Sequence, residues 1–240
     1  MGSNPAAPTI FCKNMCGRFS QFHSWAEIHA FLNIFGAARN LPQRYNIAPT
    51  QDAAVVRQTA EGRALDFLRW GLVPSWAKDS SMAARMINAR AETVAQKPSF
   101  RSAFGKRRCL VPADGFYEWR GAKGAKQPYR ILSADGGLFA FAGLWERWHK
   151  AGGEALESFT IITTEANRKL APLHGRMPVI LDPGDFERWL SPDLAANDAL
   201  DLLRPAPDSA VDFHAVSKHV NNARNDDPAC IEPVPDDEGA

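Results

Sequence analysis

Ala53-Ala-Val-Val-Arg-Gln-Thr59 and Ala64-Leu-Asp-Phe-Leu-Arg-Trp-Gly-Leu72 are the runs from which the fold is read. Both are rich in β-branched, aromatic or leucine residues and lie between breakers, the pattern of strands. Residues 109–111, 129–132, 138–144 and 159–163 share that composition between Gly, Pro and Asp breaks. Gly121-Ala-Lys-Gly124 and Gly152-Gly153 read as hairpin turns. Helices are fewer. Ser24-Trp-Ala-Glu27 fits a capping box, and Trp25, Ile28, Leu32 and Phe35 follow at helical spacing, so a helix is predicted near 25–35. Residues 185–190 and 195–204 read as two more, the second after Ser191-Pro192, where Pro suits a first turn. No regular strand–helix–strand rhythm connects these elements. The expected class is therefore α+β, a single domain of mixed, mainly antiparallel sheet with surrounding helices.

Composition sets the outer bounds. A chain of 240 residues can bury one sizeable core. With Lys+Arg 28 against Asp+Glu 27 the net charge is +1, which neither demands nor excludes a nucleic-acid partner, since a local patch suffices. No apolar run approaches the ~18–20 residues of a membrane span. The opening MGSNPAAPTI lacks the basic start and apolar stretch of a secretory signal, so the reading is cytoplasmic, without membrane contact. Residues 1–15 read as a disordered leader or a mis-assigned start, 16–228 as the domain, and 229–240 as a mobile acidic tail. The cysteines at 12, 16, 109 and 230 form no disulfide framework. Cys12 and Cys16 with His23 or His29 do not complete a zinc pattern, and no metal or cofactor is expected.

Met15-Cys16 carries the chemistry. Removal of the residues ahead of Cys16 would leave an amine and a thiol on one carbon frame. Such a 1,2-aminothiol condenses with an aldehyde to a Schiff base, and the sulfur then closes a thiazolidine ring. The two groups titrate near ~7.7–8.0 and ~8.5, so both nucleophiles are reachable at cellular pH. While the upstream residues remain, the nitrogen is an amide and this reaction is blocked. Glu118 lies among Phe116, Tyr117 and Trp119, surroundings that raise a carboxyl pKa and suit proton transfer. A solvent-facing strand residue is the equal alternative. Asn88 offers both a donor and an acceptor, and His174 sits on an expected loop, where a hydrogen-bonded structural histidine is the commoner outcome. Cys109, in an apolar strand, reads as core, and Cys230 as incidental. Arg101, Lys106, Arg107 and Arg108 crowd a short stretch without an acid, enough for phosphate contacts or simply a solvated loop. Trp70, Trp76 and Trp119 are either base-stacking surfaces or core.

Seven blocks occur in one order: Met15-Cys-Gly-Arg-Phe19, Arg44-Tyr-Asn-Ile-Ala-Pro-Thr50, Arg69-Trp-Gly-Leu-Val-Pro-Ser-Trp76, Asn88-Ala-Arg-Ala-Glu-Thr93, Arg108-Cys-Leu-Val-Pro-Ala-Asp-Gly-Phe-Tyr-Glu-Trp119, Thr163-Thr-Glu-Ala-Asn167 and His174-Gly-Arg-Met-Pro-Val-Ile180. In this the chain resembles the SRAP proteins, first named SOS-response-associated peptidases, a family that includes abasic-site shielding proteins. The resemblance covers nearly the whole chain and implies one α+β domain holding single-stranded DNA in a basic groove during the DNA damage response; a monomer is expected. It implies that Cys16, as leading residue, crosslinks to the aldehyde of an abasic deoxyribose. It assigns Glu118 to sugar ring opening and crosslink reversal, and His174 to the Schiff-base stage or the adjacent phosphate. Asn88 falls in the active site by the same resemblance. Arg18, Arg90 and Arg176 would line the phosphate track, and Pro49 and Trp70 would wedge the DNA junction, with Trp119 a further DNA contact. The DNA-bound protein would then be nucleoid-associated. Two other readings stay open: a Cys16–His174 thiol peptidase or amidase, with self-removal of the leader as its natural instance, and a non-covalent single-strand binder.

Overall fold

The computed structural model describes residues 16–122, 124–149 and 153–236. The expected leader therefore lies outside the described residues, as do Lys123 and Gly152 of the two expected turns. Twelve strands and four short α-helices are present among the described residues. The first part of the chain gives β1 (Phe19–Gln21), α1 (Trp25–Leu32), β2 (Arg44–Ile47), β3 (Asp52–Thr59) and β4 (Gly62–Trp70). The middle gives β5 (Asn88–Arg90), α2 (Arg101–Lys106), β6 (Arg108–Ala113), β7 (Gly115–Arg120) and β8 (Gln127–Ser133). Then follow β9 (Phe139–His149), β10 (Ala155–Glu165), β11 (Arg176–Pro178), α3 (Phe186–Leu190), α4 (Ala196–Leu200) and β12 (Val211–Ala215).

The two opening runs, β3 and β4, form an antiparallel pair in register from Asp52↔Arg69 to Thr59↔Gly62. Around them the order β10-β4-β3-β6-β9 closes on itself, because β9 also pairs β10. Closure removes the open edges that a flat sheet would expose. The one parallel contact in this ring is short, Ser158↔Arg69 and Phe159↔Trp70. β5 and β11 extend the ring along the second half of β10. A second sheet has the order β12-β8-β7-β1-β2. The α+β class with mainly antiparallel pairing is what the structure contains.

β6 and β7 join the two layers, with only Asp114 between them. That carboxylate is buried, accepts from the Phe22 amide and lies against His23, pinning the bend to the segment after β1. Alternation along β6 then sorts two cores. Cys109, Val111 and Ala113 face the space between the ring and the second sheet, where they meet Phe19, Trp70, Phe116, Phe141 and Phe159. Leu110 faces the helices and packs with Ile28, Leu32, Phe104 and Trp189. Period-two alternation with apolar residues on both faces is the signature of a strand covered on both sides.

Three expectations are corrected. Helix α1 stops at Leu32 because Asn33 turns left-handed (φ 48°), so Phe35 leaves the helical stripe and is 68% exposed. Of residues 195–204, only Ala196–Leu200 is helical. The tail does not begin at 229. Cys230 is fully buried against Tyr117, Val216 and Val220, Val234 donates its amide to Ala215, and Asp236 accepts from the Tyr129 hydroxyl. Residues 237–240 lie outside the described residues.

Candidate functional site

Cys16 is carried to Glu118 by strand pairing. Phe19 faces Phe116 across β1 and β7, and the Tyr117 amide donates to the Arg18 carbonyl. Running backwards from Phe19, the antiparallel chain therefore arrives beside Glu118 at Cys16. There the Cys16 backbone nitrogen donates to Glu118 Oε1 at 2.7 Å. Cys16 is fully buried and holds φ at 42°, in the left-handed region that residues with a Cβ seldom adopt. Its carbonyl accepts from Asn88 Nδ2 at 3.4 Å, and Asn88 is itself placed by pairing with Ile161 on β10. Thus a carboxyl and a carboxamide converge on the main chain of one cysteine.

Glu118 and His174 line one narrow crevice together with Arg176, walled by Phe116, Ile131 and Leu170. Burial pushes the Glu118 carboxyl up to about 7, against the opposing pull of the Cys16 N–H. Burial, and then the nearby Glu118 charge, pushes the Cys16 thiol well above its ordinary value. His174 is held below its ordinary value by burial. Its Nδ1 accepts from the Arg176 amide at 3.2 Å, which leaves the ring proton on Nε2. All four residues expected to be catalytic therefore share one neighbourhood: Cys16, Asn88 and Glu118 by direct bonds, and His174 across the crevice.

The expected DNA contacts fare unevenly. Arg90 is exposed, and Pro49 is half-buried at the turn between β2 and β3. Trp119 is half-buried, its indole donating to Asn221 Oδ1 at 2.7 Å. Arg18 lies 5.9 Å over the Trp119 ring and donates to Asn46 Oδ1 and the Val220 carbonyl. Arg176 makes a bidentate pair with Glu92, at 2.7 and 3.0 Å, and also reaches the Thr163 carbonyl. Trp70 is a correction. It has no exposed surface, packs against Phe19 and Phe159, and gives its indole proton to the Ile87 carbonyl, so it is core and offers no face to a base.

The basic cluster is corrected too. Arg108 is buried and donates to the Trp189, Phe104 and Ser191 carbonyls, satisfying helix ends that would otherwise be orphaned. Arg107 pairs with Glu146. Only Arg101 and Lys106 of that cluster remain exposed. Of the three tryptophans weighed as stacking surfaces, Trp76 is the exposed one, at 58%. Sequence reading passed over Lys126, whose charge lowers both the Glu118 and the His174 pKa. It also passed over Asn46, which ties β2 to the Val220, Asn222 and Asn225 carbonyls. An isolated Lys in a turn and an Asn in a strand carry no signal of such roles.

The chain is similar to known proteins over most of its length. The profile of the family described as SOS response associated peptidase (SRAP) matches residues 15–223. The chain is 41% identical over 222 residues to the abasic site processing protein YoqW of Bacillus subtilis (strain 168), covering 91% of this chain and 99% of that protein. It is 37% identical over 223 residues to the abasic site processing protein HMCES of Gallus gallus, covering 79% of this chain and 66% of that one. Among solved structures, a protein from Bacteroides thetaiotaomicron superposes with a TM-score of 0.82 at 28% identity, over 91% of this chain and 100% of that one. One from Bordetella bronchiseptica gives 0.74 at 29% identity, over 84% and 100%. With its family profile running from just ahead of the buried cysteine to the loop that holds Arg18, the chain belongs to the SOS response associated peptidase (SRAP) family.

Proposed function

We propose that this protein senses abasic sites in single-stranded DNA and captures them covalently through Cys16 as the leading residue of the processed chain. One observation carries the reading: the backbone nitrogen of Cys16 stands 2.7 Å from a buried carboxyl whose pKa lies at about 7. A thiol hydrolase acting on other peptides needs its sulfur activated. Here the thiol is instead pushed upward, the opposite of an activated thiolate.

The chemistry follows from those positions. Once Cys16 leads the chain, its nitrogen is an amine, and Glu118 receives the proton that frees the lone pair. The amine adds to the aldehyde carbon of the opened sugar, giving a carbinolamine. Glu118 returns the proton to the departing hydroxyl, water leaves, and the Schiff base forms. The Cys16 sulfur then adds to the imine carbon while its proton passes to nitrogen, closing the thiazolidine. Glu118 ends in its starting state, as a general acid–base should. Asn88 holds the cysteine carbonyl, and His174 Nε2–H is the donor across the crevice. The exposed Arg90, with Arg101 and Lys106, supplies phosphate contacts, and Trp119 a stacking face.

Self-processing at the bond ahead of Cys16 is a second reading, favoured by the left-handed φ of 42°. Such a conformation costs on the order of 1–3 kcal/mol in a residue with a Cβ, and cleavage releases it, because a leading residue has no φ. In this step the Cys16 thiol adds to the preceding carbonyl and gives its proton to Glu118, and the C–N bond breaks as Glu118 passes that proton to the nitrogen. Water then hydrolyses the thioester.

The test is incubation with single-stranded DNA carrying an abasic site. The expected result is a heat-stable shift on a denaturing gel that Cys16→Ala abolishes while native-gel DNA binding persists. A shift seen only on native gels leaves the non-covalent binder. Peptide cleavage blocked by thiol alkylation, without DNA, makes the protein a peptidase.

A further inference from the structure

Beyond this reaction, the loop after β12 brings three metal-ligating donors together: His219, Asp227 and Cys230 offer nitrogen, oxygen and sulfur atoms that all lie within 4.8 Å of one another. Two short 3-10 turns, Lys218–Asn221 and Pro228–Cys230, present them from opposite sides. Asp227 caps the second turn, its Oδ1 accepting from the Ala229 amide at 3.0 Å, which turns Oδ2 toward His219 Nε2 at 2.9 Å. The other ring nitrogen is fixed by Asn225, whose Nδ2 lies 3.0 Å from His219 Nδ1 and 2.8 Å from the His219 carbonyl. A ligating histidine commonly donates its second N–H to an oxygen, and the Asn225 amide carries such an oxygen beside Nδ1 once its side chain is turned.

We propose that His219, Asp227 and Cys230 form a binding site for a single borderline-soft divalent cation of the zinc class. With bonds of about 2.0–2.3 Å, tetrahedral zinc places its donors roughly 3.3–3.8 Å apart. Side-chain movements of about an ångström bring the present set to that spacing. The sulfur is buried, whereas the His219 and Asp227 side chains are 36% and 48% exposed, so the pocket opens to solvent on one side. That opening admits the ion and leaves a position for water as fourth ligand. On binding, Cys230 gives its thiol proton to solvent. His219 moves its ring proton from Nε2 to Nδ1, and the Asn225 amide turns its oxygen to accept it, giving up its bond to the His219 carbonyl. Thiolate and carboxylate together neutralise the dication, so Arg18, bonded to the Val220 carbonyl one residue from His219, faces no new repulsion.

The ion would tie down the segment that holds Arg18, Trp119 and Asn46. Val220 and Asn221 hold Arg18, Asn221 holds Trp119, and Asn222 and Asn225 hold Asn46. The role is structural and independent of the Cys16 chemistry.

Cobalt(II) titration of reduced, metal-stripped full-length protein tests the site without any DNA. Saturation at one ion per chain is expected, with a sulfur-to-cobalt charge-transfer band that zinc abolishes by displacement. The band should survive in a Cys12→Ser/Cys16→Ser background and vanish in Cys230→Ala. His219→Gln and Asp227→Asn, both at the surface, should weaken cobalt binding at least ~10-fold. Zinc should also raise the Tm of the wild type but not that of His219→Gln. Absence of the charge-transfer band in the wild type would overturn the proposal. So would a band unchanged in Cys230→Ala, or unchanged affinity in both surface variants should Cys230→Ala fail to fold.

Discussion

Cys16 and Cys109 are both fully buried, both belong to the apolar core between the two sheets, and both have thiols pushed upward by burial. Neither exposure nor thiol acidity separates them. The difference lies in the backbone. Cys109 sits mid-strand, paired with Gly143, its carbonyl accepting from the Trp189 indole, so its main chain is spent on the fold. Cys16 lies just ahead of the first strand, and its nitrogen meets the Glu118 side chain instead of a main-chain carbonyl. On the proposed reading, what sets Cys16 apart is a nitrogen that can become an amine next to a proton carrier.

The sharpest break of this comparison replaces each cysteine by alanine, exchanging the thiol for a hydrogen. Cys16→Ala should remove the DNA adduct entirely with native-gel binding intact, whereas Cys109→Ala should crosslink like the wild type. Glu118→Gln comes next. Losing the proton carrier should slow both adduct formation and release by roughly 10²–10⁴-fold, read as single-turnover time courses on denaturing gels.

A third effect follows from the pH dependence of folding. While the chain continues ahead of Cys16, folding raises the Glu118 pKa from its ordinary 4.5 to about 7. The folded state then binds more protons than the unfolded state between those values, so this contribution is fully present below 4.5 and is lost as pH rises through 7. The span is worth about 3 kcal/mol, and Glu118→Gln should flatten it in urea melts at stepped pH. In the processed chain a cationic amine takes the place of the amide, favours the carboxylate, and should reverse or cancel the trend. An identical pH profile for the two forms would mean that the nitrogen and Glu118 are not coupled.

The smallest effect concerns the structural thiol. A Cβ added at Gly143 would lie 2.8 Å from Cys109 Sγ and 3.0 Å from Val111 Cγ2. Gly143→Ala should cost about 1–3 kcal/mol in chemical denaturation, and Cys109→Ala in the same chain should recover part of it. Crosslinking should be unaffected throughout.

The ring strands were legible because each carries enough β-branched or aromatic residues to announce itself; residues 53–59 fall within β3, and 64–72 overlap β4. β1, β5 and β11 are three residues each, too short for a periodic signal, and exist through long-range pairing. Cys16 and Glu118 could each be singled out from their neighbours. Their contact spans 102 positions and depends on the β1–β7 register, which no local pattern contains. The arginine cluster failed for a related reason. Composition cannot say that Arg108 turns inward to helix-end carbonyls while Arg101 stays outside. Trp70 illustrates the same limit, since an aromatic strand residue looks alike whether it meets a base or the Phe19 ring.

The central claim is that the reacting group is the amine of Cys16 together with its sulfur. Intact-mass analysis of the purified protein–DNA adduct tests it directly. The account predicts a protein component beginning at Cys16, joined to the abasic strand with loss of one water. An adduct whose protein component still carries the residues ahead of Cys16 would contradict it.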